Sequence, residues 1–377
     1  MMQCQKELFD IPDGITYLNA AYMGPLTKQA AKIGRQAVEK KLAPWSIKIN
    51  EFFDLPNAIY DLSSKLIDAE PWDMAIVPSV SYGIAIAAKN IQLSKGQKII
   101  VLADQFPSNV YQWNELANDN DALVETVSWP EDGDWTAAIL EAIDDKTAVV
   151  AAENAHWTNG TKIDLIAIGK KARAVGASLV VDLTQTLGVM PFSVKEVDPD
   201  YMVAGCYKWL LGPYSFGFMY VAPRNQAGKP IEENWITRKD AHDFGRLADY
   251  KGEYQPGARR FDMGEKSNFI NAPIAASALT LINQLGVENI SLYIKSLTDY
   301  IAVRAMAIGL NVAEAQQRAP NLIGINFNGG VPAHLAPALA AANIFVSIRG
   351  DSIRVAPHIY NDKSDIDRLF EVLEGEI

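Results

Sequence analysis

A lysine and an aspartate each follow an apolar run of the chain. Lys208 lies just past a run that ends at Gly205, and Asp182 ends the run Ser178–Asp182. Since the ends of parallel strands meet at one edge of a sheet, this amine and this carboxylate can reach opposite ends of one flat cofactor. Pyridoxal phosphate needs such a pair, because a lysine amine forms the Schiff base and an acid pairs with the pyridinium nitrogen. The two residues predict a pyridoxal phosphate site.

Two earlier strand ends add a predicted phosphate cup and a stacking ring. Where a strand gives way to a helix at Ser79–Gly83, free N–H groups and the Ser81 hydroxyl can bind an anion. An ordinary serine cap that binds nothing remains the alternative. Phe106 follows the next strand and can stack on an aromatic ring, although a core position by itself explains this residue better.

Three other polar positions fit the same site, each with an alternative. His156 lies in the segment Glu153–Gly160, which is dense in hydrogen-bonding groups, but a histidine there can equally be a satisfied loop residue. Gln185 can reach the phenolic oxygen of the cofactor or lie at the surface. Arg354 falls inside a predicted strand, where two-point binding of a substrate carboxylate would explain its charge, and an edge-strand arginine is the alternative.

The composition is that of an ordinary globular protein with about two domains. The chain has 377 residues, of which 49% are hydrophobic and 21% charged, and its formal net charge is −11. No cluster of lysine and arginine stands out, which argues against nucleic acid as a partner. The sequence predicts a small-molecule substrate.

The cysteines, the histidines and the N-terminal segment argue against a disulfide-rich protein, a metal-binding protein and a membrane protein. Cys4 and Cys206 have no disulfide or zinc spacing, and the four histidines are far apart, so we expect no metal site. The N-terminal segment is polar, and no apolar run approaches the length of a membrane span. We therefore expect a cytoplasmic protein that does not bind membranes.

Alternating strands and helices predict an α/β fold with a mostly parallel seven-stranded sheet. Consecutive apolar positions indicate strands that are buried on both faces. The predicted strands are Met74–Pro78, Lys98–Ala103, Leu123–Ser128, Thr147–Ala152, Ser178–Leu183, Asp200–Gly205 and Phe216–Ala222.

The last third of the chain predicts a smaller C-terminal α/β domain. Residues 224–260 form a long irregular segment, and two helices follow it at Ile270–Leu285 and Ile290–Ile308. Short strands near Leu322–Phe327, Phe345–Ile348 and Ser352–Val355 alternate with helices near Ala333–Ala342 and Lys363–Leu373. We predict a large domain of residues 15–258 and a small domain of residues 1–14 plus 259–377.

Several motifs resemble a known family over nearly the whole chain. Tyr207–Pro213, followed by Phe216–Val221, resembles the Schiff-base segment of class V aminotransferases, which are fold type I pyridoxal phosphate enzymes. Val181–Gln185 is similar to their Asp-x-x-Gln motif. Tyr17–Ala21 resembles their N-terminal substrate-side turn, and Arg354 lies in a segment similar to the one whose arginine binds the substrate carboxylate.

The resemblance implies a role for each matching position. Lys208 and Asp182 would be catalytic, and Gln185 would contact the phenolic oxygen. Phe106 would stack on the ring, where many relatives carry histidine, and His156 or Trp157 would contact the ring oxygen or the substrate. The implied cofactor-binding residues are Val80, Ser81, Phe106, His156, Asp182, Gln185, Tyr207, Lys208 and Ser267, and the implied substrate-binding residues are Asn19, Ala20 and Arg354.

Two departures from the family pattern bear on assembly and activity. Glu265 replaces a threonine that reaches the partner's phosphate in many relatives, so Ser267 or Asn268 is the expected substitute in a homodimer. Cysteine desulfurases need a nucleophilic cysteine on the loop that corresponds to Arg349–Ile353, which has none here. Cys206 is expected to be a small buried residue, so persulfide formation is disfavoured.

The predicted function is that of a pyridoxal phosphate-dependent enzyme acting on an amino acid, with transamination as the first choice. Lys208 is the natural base for the α-proton. A lyase that cleaves a C–S or similar bond is the second choice and an amino-acid epimerase the third, since all three share their first steps. A non-catalytic cofactor-binding protein on the same fold is the alternative from another class. A dehydrogenase is excluded, because no glycine-rich dinucleotide turn follows the first strand.

Overall fold

Twelve strands and eleven α-helices make up the fold in the computed structural model, which describes residues 2–376. Met1 and Ile377, the two ends of the predicted small domain, lie outside the described residues. The strands are β1 (Thr16–Tyr17), β2 (Met74–Val77), β3 (Lys98–Leu102), β4 (Leu123–Val127), β5 (Thr147–Glu153), β6 (Ser178–Asp182), β7 (Tyr201–Gly205), β8 (Gly217–Val221), β9 (Ile323–Asn326), β10 (Ile344–Phe345), β11 (Ser347–Arg349) and β12 (Ser352–Val355).

The helices lie mostly between the strands of the larger sheet and after it. In chain order they are α1 (Lys28–Lys40), α2 (Glu51–Lys65), α3 (Val80–Asn90), α4 (Tyr111–Asp119), α5 (Trp135–Ala142), α6 (Leu165–Val175), α7 (Val194–Val197), α8 (Asn271–Leu285), α9 (Val287–Ala307), α10 (Leu335–Ala341) and α11 (Lys363–Glu376). None of those within residues 2–376 combines the length and the apolarity needed to cross a membrane.

Seven strands form the main sheet in the order β2-β8-β7-β6-β5-β3-β4. Strand β8 is antiparallel to β2 and β7, and the other four pairings are parallel. The predicted mostly parallel seven-stranded sheet is therefore confirmed. Parallel β5, β6 and β7 end at the same edge, which brings the residues that follow them together.

Apolar side chains cover both faces of this sheet. Along β3, Ile100 belongs to one hydrophobic core, whereas Ile99 and Val101 belong to the core on the opposite face. Successive strand residues point to opposite faces, so a run without polar residues needs helices on both sides. This explains why most of the predicted strands are continuous apolar runs rather than alternating ones.

A smaller three-stranded antiparallel sheet follows in the order β11-β12-β9, and β1 pairs with β10 beside it. Its core combines α9, α10 and α11 with Leu18 from the N-terminal segment. Helix α8 contributes Ala275 and Leu279 to the core of the larger sheet. The domain boundaries at 14/15 and 258/259 remain a prediction.

Helix α2 and the division of one predicted strand into two were not expected from the sequence. Pro56 lies inside α2 and removes a helical hydrogen bond, so the sequence pattern did not indicate a helix there. Ile59 and Tyr60 of this helix are fully buried, and this packing offsets the lost bond. The single strand expected at Phe345–Ile348 is divided between β10 and β11.

Candidate active site

A cavity of about 220 Å³ lies at the edge where β5, β6 and β7 end. It is formed by the loops that follow these strands and by the first turn of α3. Its lining residues are Pro78, Ser79, Val80, Ser81, Phe106, Ser108, Glu153, Trp157, Asp182, Thr184, Gln185, Gly205, Tyr207, Lys208, Tyr214, Ser215 and Phe216. Seven of the predicted site residues are among them: Val80, Ser81, Phe106, Asp182, Gln185, Tyr207 and Lys208.

Lys208 lies in the turn after β7 and is only 6% exposed. Its ammonium nitrogen is 5.4 Å from the centroid of the Phe106 ring and 5.6 Å from that of the Tyr207 ring. Burial lowers the pKa of Lys208 to about 8, although Asp182 opposes that shift. The amine can therefore lose its proton near neutral pH, as a nucleophile or a base must.

Asp182 ends β6 and accepts a hydrogen bond of 2.9 Å from the Thr184 amide. Thr184 is held in turn, because its hydroxyl accepts a bond from the Gly205 amide. Burial raises the pKa of Asp182, and the neighbouring Lys208 lowers it. A carboxylate in this place needs a positively charged partner to remain ionised.

Glu153 ends β5 and is the register partner of Asp182 across the parallel pair. Its carboxylate accepts a bond of 3.3 Å from the Trp157 amide. Burial raises the pKa of Glu153 well above its usual range, and the charge of Asp182 adds to the rise. Glu153 was not among the predicted site residues, although an acid at the end of a buried apolar run is the same signal that identified Asp182.

The first turn of α3 forms one end of the cavity. The Ser79 hydroxyl caps the helix by accepting a bond from the Tyr82 amide, and it lies 3.0 Å from the Ser81 hydroxyl. The Gly83 amide bonds to the Ser79 carbonyl. The amides of Val80 and Ser81 begin the helix at its positive end, so this turn can bind an anion.

Two aromatic rings form another wall. Phe106 and Trp157 meet edge to face, with ring centroids 5.5 Å apart. The Trp157 indole nitrogen donates a 2.6 Å bond to the Asp104 carbonyl, which fixes the ring. Phe106 thus offers an apolar surface next to the Lys208 amine, and Trp157 separates that surface from β12.

Arg354 approaches this wall from β12. It is 1% exposed and donates a 2.8 Å bond to the Trp157 carbonyl and a weaker one of 3.4 Å to the Ser347 hydroxyl. Burial lowers the pKa of Arg354 to about 9, and the nearby Arg349 contributes. The guanidinium remains charged at neutral pH, so it favours an anion in front of it.

Gln185 belongs to a buried network behind Lys208. Its amide nitrogen donates to the Ala21 carbonyl, and its amide oxygen accepts from the Trp209 indole. The Trp209 carbonyl in turn lies 3.0 Å from the His358 Nε2. This network holds Trp209, the residue that follows Lys208, in place.

The N-terminal pair Asn19 and Ala20 lies against β12 rather than in the cavity wall. The Ala20 amide donates to the Ala356 carbonyl. The Asn19 side-chain oxygen accepts a 2.9 Å bond from the Ser347 hydroxyl, which also contacts Arg354. Asn19 is therefore linked to the predicted carboxylate site through Ser347.

His156 and Ser267 do not line the cavity around Lys208. The His156 ring stacks on Trp135 at 5.1 Å, and its two nitrogens contact the Ala103 carbonyl and the Thr158 hydroxyl. The Ser267 hydroxyl donates a 2.6 Å bond to the Phe52 carbonyl and lines a separate cavity. Both side chains use their polar atoms in bonds within the chain.

Among residues 2–376, no group of three or more histidine, cysteine, aspartate and glutamate side chains is arranged to hold a metal ion. The cavity instead brings together a basic amine, two acids and a helix N-terminus. This set suits a cofactor with an anionic end and a basic ring nitrogen.

Comparisons with known proteins agree with this geometry. Residues 64–369 match the family model of class-V aminotransferases. An uncharacterized aminotransferase, YcbU of Bacillus subtilis (strain 168), is 32% identical over 307 residues, which cover 80% of this chain and 79% of that protein. Isopenicillin N epimerase of Streptomyces clavuligerus is 22% identical over 96% of this chain and 94% of its own.

Solved structures share the fold at lower identity. The cysteine desulfurase CsdA of Escherichia coli superposes with a TM-score of 0.82 at 18% identity, covering 98% of this chain and 96% of its own. The cystine C–S lyase C-DES, in complex with cysteine persulfide, superposes with a TM-score of 0.84 at 18% identity, covering 96% of this chain and 97% of its own. Since the family match spans most of the sequence, the chain belongs to the class-V aminotransferase family.

Proposed function

We propose that this protein binds pyridoxal phosphate through Lys208 and acts on an amino acid. The observation that carries the proposal is the buried Lys208 amine, whose pKa is lowered to about 8, beside the buried carboxylate of Asp182. Family membership supports the same conclusion, because relatives are named as aminotransferases, epimerases and lyases.

The residues around the cavity fit this cofactor. The first turn of α3, with Val80, Ser81 and Tyr207, would hold the phosphate, and Phe106 would lie against the ring. Asp182 would pair with the ring nitrogen and so gain the positive partner that its burial requires. Bound pyridoxal phosphate supplies an electron sink for charge that develops at the substrate α-carbon.

The protein itself contributes orientation and proton transfer. Lys208 is the base that takes the α-proton, and its lowered pKa suits that task at neutral pH. Arg354 binds the α-carboxylate, which orients the amino acid in the cavity. Burial and the charge of Asp182 raise the pKa of Glu153 well above its usual range, which disfavours a second negative charge in the site.

Transamination is the reaction that we propose. The Bacillus subtilis relative named as an uncharacterized aminotransferase supports it. Persulfide formation would need an accessible thiol in the cavity. Cys206 is fully buried, with a raised thiol pKa, and the half-buried Cys4 lies beside Tyr293 rather than in the cavity lining.

We also propose that the protein is a homodimer in the cytoplasm, with Ser267 near the partner's phosphate site. Large apolar side chains are exposed between residues 22 and 45, including Tyr22 at 59%, Leu42 at 80% and Trp45 at 85%. A second copy that covers them would remove apolar surface from water.

The decisive experiment compares wild-type protein with Lys208→Ala. Wild type loaded with pyridoxal phosphate should absorb in the visible range, and borohydride should fix the cofactor to the chain. The variant should keep its far-UV circular dichroism and lose the fixed cofactor. Amino acids are then screened for keto acid products. A wild-type protein that takes up no cofactor would disprove the proposal, and a released fragment or an inverted isomer would replace transamination by cleavage or epimerisation.

A further inference from the structure

Two arginines, Arg349 and Arg354, project from the same face of the small sheet. In the antiparallel pair β11–β12, Ser347 is the partner of Arg354, and Arg349 is the partner of Ser352. Because strand residues alternate between faces, these four side chains share one face, while the buried Ile353 points to the core on the other. Arg349 and Arg354 are diagonal neighbours, a separation of roughly 7–8 Å between backbones.

Both guanidinium groups lie over the ring of Trp157. The Arg349 guanidinium carbon is 5.4 Å from the ring centroid, and that of Arg354 is 5.8 Å away. Trp157 lines the cavity that contains Lys208. The two positive charges are therefore held at the same wall of the predicted active site, where both also lower the pKa of Lys208.

Neither arginine has an acidic partner within the described part of the chain. The ion pairs of residues 2–376 include neither Arg349 nor Arg354. Arg349 donates only to the Ile348 carbonyl, and Arg354 to the Trp157 carbonyl and the Ser347 hydroxyl. The Nε atoms of both arginines are buried without a hydrogen-bond partner.

Two adjacent cations that lack anions are costly, and this cost indicates what the site binds. Buried charges are normally paired, and buried donors without a partner lose their hydration without compensation. This applies to the whole of the buried Arg354 group and to the Nε atom of Arg349, whose side chain is only partly buried. The α-carboxylate of an amino acid can neutralise one arginine. A second anionic group, at a distance set by the spacing of the two strand positions, would pair with Arg349.

We infer that Arg349 is a specificity-determining residue that binds the anionic group of the substrate side chain, while Arg354 binds the α-carboxylate. This inference rests on the proposed function, since it assigns the substrate class of the same site. The favoured amino acids are those whose side chains end in a carboxylate or a phosphate-like group. An uncharged side chain leaves Arg349 unpaired.

Binding of unreactive acids to the cofactor-loaded protein tests this assignment. Glutarate carries two carboxylates, whereas valerate has the same carbon chain with one, and 4-phosphonobutyrate replaces one carboxylate by a phosphonate. Calorimetry should give glutarate or the phosphonate a Kd lower than that of valerate by about 10-fold or more, as expected for a charged hydrogen bond. The order of these two acids shows which anionic group fits Arg349.

Variants assign the effect to the individual arginine. Arg349→Gln should raise the Kd of glutarate to that of valerate and leave the Kd of valerate unchanged. Arg246→Gln, at an exposed position in the segment after β8, is the matched control and should change neither. In steady-state assays, Arg349→Gln should raise the KM of the acidic substrate and spare that of a neutral one.

Equal binding of valerate, glutarate and the phosphonate would overturn the inference, as would an Arg349→Gln variant that still prefers the diacids. The absorbance of bound pyridoxal phosphate gives an independent measurement of cofactor loading. A protein that loads the cofactor but does not discriminate among the acids retains the proposed function and refutes the role of Arg349. A protein that does not load refutes the proposed function itself.

Discussion

Glu153 and Asp182 lie side by side at the ends of two parallel strands. They are register partners between β5 and β6, so their side chains point to the same side of the sheet. Both line the cavity and both are nearly fully buried. Two adjacent carboxyl groups in such a place cannot both ionise cheaply, and the pKa of each is raised. Lys208 counteracts the shift at both, and Asp182 has the Thr184 amide as a further donor.

Glu153→Gln should therefore be tolerated far better than Asp182→Asn. A glutamine resembles the protonated glutamic acid in shape and charge, so cofactor affinity and unfolding free energy should change by less than about 1 kcal/mol. Asp182→Asn removes the charge that we propose to pair with the ring nitrogen, and the catalytic rate should fall at least about 100-fold. Cofactor titration, denaturant unfolding and steady-state rates measure these effects.

Glu153→Asp provides a further control, because it keeps the acid but moves the carboxyl away from the Trp157 amide. If Glu153→Gln weakens cofactor binding as much as Asp182→Asn does, then Glu153 is the ionised partner. The assignment of the proton to Glu153 would then be incorrect.

The pKa of Lys208 predicts how cofactor loading depends on pH. Only the neutral amine reacts with the aldehyde, and with a pKa of about 8 its neutral fraction rises about 25-fold between pH 6.5 and 8.5. The loading rate of cofactor-free protein should rise over this range and level off above about pH 9. Stopped-flow absorbance measures the rate. A rate that still rises tenfold per unit beyond pH 9, as for N-acetyl-lysine methyl ester, would mean that the amine is not perturbed.

Most strands of the main sheet could be predicted because they are continuous apolar runs between polar segments. The edge strand β4 differs, since it also contains Glu125 and Thr126. The bounds of the strands differ from the expected ones by one residue, as for Thr147–Glu153 against Thr147–Ala152. Helix α2 was not predicted, since Pro56 obscures its pattern and the packing of Tyr60 is visible only in three dimensions. Local patterns indicate strands well and do not reveal helices that tertiary packing stabilises.

Position after a strand was a sound guide to which polar residues enter the cavity, but it could not rank them. Lys208 and Asp182 lie where strand ends predict. At the end of β5 and just after it, Glu153, His156 and Trp157 are near neighbours in sequence. The chain turns so that Glu153 and Trp157 face the cavity and His156 stacks on Trp135 behind it. The direction of a side chain in an irregular loop depends on such packing partners, which are distant in sequence.

Arg354→Gln should weaken substrate binding and spare the cofactor. In the proposed role, Arg354 binds the α-carboxylate; loss of that charged hydrogen bond costs about 1.5–3 kcal/mol, so the KM of an amino acid should rise roughly 10- to 150-fold. The dissociation constant of pyridoxal phosphate should change less than about threefold, since Arg354 does not line the cofactor cavity. Titrations of substrate and cofactor on one preparation separate the two effects, and equal losses would contradict the carboxylate role.

Gly24 should be essential for placing the Lys208 turn. Its amide donates a 2.9 Å bond to the Tyr207 carbonyl, and a Cβ atom at this position would overlap the Lys208 carbonyl oxygen. Gly24→Ala should therefore displace the turn, destabilise the protein by about 1–3 kcal/mol and reduce cofactor loading. Gly252→Ala is the matched control, because Gly252 is exposed and has no atom within 4 Å of an added Cβ. The loading yield and the denaturation midpoint of both variants test this, and equal behaviour would contradict it.

His156 should make the folded protein sensitive to acid. Burial lowers its pKa to about 4, and the ring nitrogens already contact the Ala103 carbonyl and the Thr158 hydroxyl. Below about pH 6.5 the unfolded chain binds a proton at this residue that the folded chain does not bind, so stability falls as the pH falls toward 4. The loss attributable to His156 is about 2 kcal/mol between pH 7.5 and pH 5.

The variant His156→Phe isolates this contribution, because phenylalanine can still stack on Trp135 and cannot titrate. It will be less stable than wild type at pH 7.5, since both hydrogen bonds are lost. Its unfolding free energy should nevertheless decline by about 2 kcal/mol less than that of wild type on acidification to pH 5. The other titratable groups contribute equally to the unfolding free energy of both proteins, so their contributions cancel in this difference. Urea unfolding at the two pH values gives both free energies. If the unfolding free energies of wild type and His156→Phe fell equally from pH 7.5 to pH 5, His156 would be protonated in the folded state and its burial would not exclude the charge.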